Sequence, residues 1–101
     1  MQFELVRTLR TPHSERYLLT RQKSQDVGAM DVHYRLDGTA AATLILFQEA
    51  NIPDSEVPGI LKSIDEILFP DISIGEKNLF FTVVRGQVLG SFLPTAADNP
   101  E

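Results

Sequence analysis

Large apolar residues stand side by side at seven places where a β-strand is the best local reading: Leu5-Val6, Leu18-Leu19, Leu44-Ile45-Leu46-Phe47, Phe80-Phe81, Val83-Val84, Val88-Leu89 and Phe92-Leu93. Successive strand residues point to opposite faces of a sheet, so each doublet puts apolar surface on both faces. A different spacing governs Val57, Ile60, Leu61, Ile64, Ile67 and Leu68, which recur at i, i+3, i+4 and i+7. That period predicts one amphipathic helix, with Lys62, Ser63, Asp65 and Glu66 on its polar side. One helix covers one sheet face. The other face is therefore expected to be closed by the sheet curling on itself or by a second copy of the chain.

The helix has readable ends. Asp54 or Ser55 is the expected N-cap. Pro58 is compatible with the first turn, where backbone N–H groups have no helical partner, and Pro70 stops the helix after Phe69. Burying its six apolar side chains contributes on the order of 10–15 kcal/mol gross, as an upper bound.

Turn chemistry arranges the strands. Gln2–Leu9 and Glu15–Arg21 flank Thr11-Pro12-His13-Ser14, where proline suits a type I turn. In that register Arg10 faces Glu15 and Glu4 faces Arg21, a weak charge preference. Asp37-Gly38 predicts a two-residue type I′ hairpin between Met30–Leu36 and Thr39–Phe47. Leu36 then meets Thr39, Tyr34 meets Ala41, Val32 meets Thr43 and Met30 meets Ile45. A last hairpin around Gly86-Gln87 joins Leu79–Arg85 to Val88–Leu93, with a short extra strand expected at Ile72–Ile74. The expected order is β-β-β-β-α-β-β. This is an α+β fold, a single antiparallel twisted sheet of about six strands with one packed helix. Residues 1–93 are read as one domain and 94–101 as a flexible tail. The polar run Gln22–Asp26 is also expected to be mobile.

With 101 residues, 43% of them hydrophobic and 23% charged, the chain has the composition of an ordinary soluble domain. It lacks cysteine, which excludes disulfides and thiolate chemistry and favours a reducing compartment. Met1-Gln2-Phe3-Glu4 does not open a signal peptide, and no apolar run reaches the roughly 20 residues of a membrane span. A cytoplasmic location is the expectation. The net charge of -5 disfavours a nucleic-acid partner. The helix's polar face, with one lysine and two acids, disfavours anionic lipid. Charge is unevenly placed: residues 1–36 carry six basic and four acidic side chains, and residues 37–101 carry three and ten. Arg7, Arg10, Arg16 and Arg21 therefore suggest a docking site for an acidic partner or, alternatively, edge strands guarded by charge. Leu44 and Leu46, in a strand apolar on both faces, are the apolar candidates for partner contact.

Motifs for chemistry are sparse. Two separated histidines without cysteine do not make a zinc set. No glycine-rich phosphate loop precedes a helix, and no nucleophile elbow is present. No metal and no cofactor are expected. The best polar constellation is Asp31, His33 and Arg35, alternate residues of one strand and so on one face, above the small Ala40 and Ala42. A carboxylate beside an imidazole orients it and raises its pKa, as a general base requires. The same residues also read as a solvent-facing row of mutually satisfied charges. The balance favours a small non-catalytic protein-interaction or adaptor/regulatory domain, a homodimer through the second sheet face with room for another protein partner. The alternative is a small-molecule binder or enzyme using Asp31, His33 and Arg35.

Overall fold

Short connections fold the first four strands into a meander. The computed structural model describes residues 2–22, 25–68 and 79–94. Within them β1 (Glu4–Arg10), β2 (Ser14–Arg21), β3 (Gln25–Tyr34) and β4 (Ala40–Phe47) pair antiparallel in sequence order. The chain then makes 3-10 turns at Gln48–Ala50 and Asp54–Glu56 and enters α1 (Val57–Leu68). The final strand, β5 (Leu79–Gly86), lies beside β4 and runs parallel to it. Parallel neighbours cannot be joined by a tight turn, and α1 lies in the crossover that joins them. The result is an α+β fold with one mostly antiparallel sheet of five described strands and one α-helix.

Two expectations are corrected here. The sixth strand and the Gly86-Gln87 hairpin do not form: residues 87–94 are exposed and carry no strand. The outer edge of β4 takes Leu79–Gly86 instead, and doublets such as Val88-Leu89 cannot report which edge a strand will find. Ile72–Ile74, the Phe69-Pro70 stop and the tail beyond Pro94 lie outside the described residues. So do Lys23 and Ser24 of the polar run, whereas Gln25 and Asp26 begin β3. No described helix is long and apolar enough to cross a membrane.

The hairpin registers also depart from expectation. Arg10 does face Glu15, but a bulge between Arg7 and Leu9 sets Glu4 opposite Thr20 rather than Arg21. Between β3 and β4 the loop holds three residues, Leu36, Asp37 and Gly38, closed by the Arg35 N–H donating to the Thr39 carbonyl at 2.8 Å. Gly38 has φ +89°, and the Gly38 N–H donates to the Arg35 carbonyl. This is the three-residue alternative to a type I′ turn, in which glycine takes the left-handed position. Asp37 accepts from the Thr39 N–H at 3.0 Å and from its hydroxyl at 2.7 Å, and both bonds hold its carboxyl below the ordinary range. The longer loop slides β4 by one residue, so Val32 meets Ala42 and Met30 meets Leu44. One step exchanges the faces of the whole strand. Ala40, Ala42, Leu44 and Leu46 become core, and Ala41, Thr43, Ile45 and Phe47 take the other side.

The core lies between the sheet and α1. Leu19, Val27, Met30, Val32, Leu44, Leu46, Ile60 and Ile64 are buried in one cluster, with Phe3, Leu5, Val57, Leu61, Leu68 and Phe81 packed against it. Ile67, expected on the buried stripe, is half exposed. Neither Asp54 nor Ser55 caps the helix, because the chain enters α1 directly from a 3-10 turn. Asp54 instead accepts from Arg85 of β5 at 2.7 Å, and Arg85 also donates to the Ile52 carbonyl. These bonds tie the end of β5 to the start of the helix.

Candidate functional site

The face of the sheet opposite α1 is organised in rows that cross the strands. Val6 pairs with Leu18, Leu18 with Ala29, Ala29 with Ile45, and Ile45 with Val84. One entirely aliphatic row therefore spans all five strands. Val6, Ile45 and Val84 are 45%, 36% and 44% exposed. The next row toward the first hairpin begins with Leu9 on β1 and is polar from there on: Arg16, Asp31, Thr43 and Thr82. Arg16 Nε donates to Asp31 Oδ1 at 2.7 Å, which raises the guanidinium pKa. Beyond it come Ser14, His33, Ala41 and Phe80.

This arrangement gives Asp31, His33 and Arg35 different neighbours and removes the floor expected beneath them. Asp31 and His33 do share the open face, but Asp31 is engaged by Arg16 and His33 is exposed between Ser14 and Ala41. Arg35 lies past the end of β3 and donates to the Thr39 hydroxyl at 3.3 Å. Ala40 and Ala42, expected as a small floor beneath the row, point to the core because of the register step. Arg35 lines an open hollow with His13, Tyr34, Leu36 and Asp37, without Asp31 or His33. Among the described residues no group of three or more His, Asp or Glu is placed to hold a metal ion.

Three of the four candidate arginines, Arg7, Arg16 and Arg21, are bonded within the chain. Arg7 pairs with Glu15 at 3.3 Å, and Arg21 donates to Gln25 and to the Ala50 carbonyl at 2.9 Å each. Arg10 stands opposite Glu15 at the end of β1. They do not form a common surface, since Arg16 is on the open face while Arg7 and Arg10 flank Glu15 on the helix side. Leu44 and Leu46 are buried under the helix, and their neighbours Ile45 and Phe47 take the open side of β4.

One polar cluster escaped the sequence reading. Largely buried Glu15 accepts from the Tyr17 hydroxyl at 2.7 Å, from the Tyr34 hydroxyl at 2.7 Å and from Arg7. The residues come from β1, β2 and β3, so only the pairing of strands assembles them. Alternation hinted at it, because Glu15 and Tyr17 share a strand face. Burial acts to raise the Glu15 carboxyl, but the bonds from Tyr17, Tyr34 and Arg7 and the charge of Arg10 outweigh it and hold it below 4.5. Burial and then Glu15 push the Tyr17 phenol up to about 12, and Tyr34 is raised for the same reasons. Each oxygen of the carboxylate accepts at least one hydrogen bond, so the cluster pins three strands together.

The cluster predicts a pH dependence. The contribution of Glu15 is complete above its ordinary value and is lost as pH falls through its lowered one. The contribution of Tyr17 is complete below 10.0 and is lost as pH rises toward about 12. Urea unfolding is expected to show stability falling at both ends. Combining Tyr17→Phe with Tyr34→Phe should flatten the alkaline decline; an unchanged decline would assign it to other groups.

Comparisons with protein-family models, with curated proteins and with solved structures find no match to this chain.

Proposed function

We propose that this protein is a non-catalytic interaction module that self-associates through the open face of its sheet. The observation that carries this reading is the aliphatic row Val6, Leu18, Ala29, Ile45 and Val84. Such a strip has no donor, acceptor or nucleophile to offer a small substrate. It does offer a surface that a like strip fits. Contiguous exposed apolar patches on soluble proteins mark sites of association. The neighbouring Arg16–Asp31 pair, Thr43 and Thr82 supply the polar border that interfaces characteristically have around an apolar centre. Each large aliphatic side chain fully withdrawn from water contributes about 1.5–3 kcal/mol before the costs of association.

Sedimentation of the purified chain tests the proposal. Ile45→Glu places a carboxylate in the middle of the row at a position exposed enough to leave the fold intact. It is expected to weaken self-association at least about tenfold, the equivalent of 1.4 kcal/mol. Leu36→Glu, in the exposed β3–β4 loop, should leave it unchanged. A wild-type chain that stays monomeric at high micromolar concentration would overturn the proposal.

A further inference from the structure

We infer that a second copy of this chain pairs with the outer edge of β5, antiparallel, about a two-fold axis centred on Thr82. This contact is made by the backbone edge of β5; it borders the open face at Phe80 and Val84 but does not need the middle of the row at Ile45.

The two edges of the described sheet are built differently. β1 carries a bulge at Thr8 and the charges of Glu4, Arg7 and Arg10. Bulges and charges are the devices by which edge strands avoid adding another strand. β5 has neither guard along its length. Its eight residues, Leu79-Phe80-Phe81-Thr82-Val83-Val84-Arg85-Gly86, run in unbroken register with β4, contain no proline, and hold one charge near the end. That charge, Arg85, is turned to Asp54 and the Ile52 carbonyl.

The edge is complementary to itself. Directly opposed residues of an antiparallel pair share a face, so a two-fold axis falls on a residue. Centred on Thr82, Phe80 of one copy meets Val84 of the other on the open face. Phe81 meets Val83 on the helix face, and the two Thr82 residues meet each other. Aromatic with β-branched, and threonine with threonine, are favourable cross-strand pairs. Centring on Val83 instead sets Phe81 against Arg85 and Phe80 against Gly86. Centring on Phe81 runs Val84 past the start of the opposing strand.

Charge and area favour the same place. Ten acidic residues lie between positions 37 and 101, and none of them falls within residues 79–94. Two copies of an acidic chain can therefore approach here with least repulsion. Seven of the twelve large apolar side chains exposed among the described residues are Phe80, Val83, Val84, Val88, Leu89, Phe92 and Leu93, all on β5 or its continuation. Exposed at 36–89%, they supply an area on the order of the about 800 Å² that a standard interface takes from each partner.

Thr82→Cys tests the pairing in a chain that has no other cysteine. Opposed Cα atoms of an antiparallel pair stand about 4.5–5.5 Å apart, within the range a disulfide spans. Mild oxidation at concentrations where the wild type is dimeric is expected to convert the bulk of the variant to covalent dimer. Thr43→Cys, its neighbour on β4, should remain a monomer under denaturing electrophoresis. Adding Ile45→Glu to Thr82→Cys should not prevent the crosslink. If Thr43→Cys or Ile45→Cys crosslinks and Thr82→Cys does not, the copies meet by their open faces; the edge pairing is then wrong while the proposed function stands. A chain that never dimerises removes both. Amide exchange of the wild type reads the edge without substitution. Protection confined to β5 should rise from low to high micromolar concentration, and flat protection overturns the inference.

Discussion

Replacing Ile64 by alanine is expected to lower the unfolding free energy by about 2–5 kcal/mol, the range for an aliphatic residue lost from a sealed core. Ile64 is fully buried, in one cluster with Leu19, Met30, Leu44 and Leu46. The loss has two parts: the transfer energy of the missing methyl and methylene groups, and the cavity left behind. That cavity closes poorly here, because its sheet side is held by the β2–β3–β4 ladders. Ile67→Ala on the same helix removes a half-exposed side chain and should cost under about 1 kcal/mol. Urea unfolding measures both. If the two variants lose the same stability, α1 is not docked through the Ile60–Ile64 stripe, and the sheet has no well-seated lid.

The second large effect is expected at Gly28. A β-carbon there would lie 2.6 Å from the Ile45 carbonyl oxygen, closer than real side chains approach. The obstructing atom is backbone, so relief requires β3 and β4 to move apart rather than a side chain to rotate. The position lies beside the β2–β3 irregularity, where Leu19 pairs with Gly28 and Thr20 with Asp26, leaving Val27 as the extra residue. Gly28→Ala is therefore expected to cost about 1–3 kcal/mol, as overpacking does. It should also shift the amide resonances of Ile45 and Leu46, because the strain enters at the peptide between them. Gly59→Ala, with nothing within 4 Å of the added carbon and a helical backbone, should instead hold or raise stability. Equal effects from the two substitutions would show that the close approach at Gly28 is not real.

Local chemistry made part of this structure legible. The 3.6-residue spacing from Val57 to Leu68 marked α1, and short polar connections marked the four-strand meander. The doublets Leu5-Val6, Leu18-Leu19, Phe80-Phe81 and Val83-Val84 do put one apolar residue on each face of the sheet. Other features were out of local reach. Asp37-Gly38 announced a turn between β3 and β4 but not its length, and one extra loop residue decided which half of β4 became core. The floor expected beneath Asp31, His33 and Arg35 was misplaced for the same reason, since Ala40 and Ala42 went to the opposite face. The Glu15 cluster was missed because a carboxylate and two phenols far apart in the chain meet only through strand pairing.

By itself, then, the sequence determined the kinds of element, their order through β5 and the presence of apolar residues on both faces of the sheet, because periodicity and turn preference act over a few neighbouring residues. Tertiary structure alone decided that β5 lies parallel to β4, that Val6, Leu18, Ala29, Ile45 and Val84 fall into a single row, and that Val88 to Leu93 take no strand partner within the described chain. Those outcomes depend on register and edge choice. Both are set by contacts between residues distant along the chain, where a slip of one position reverses every face.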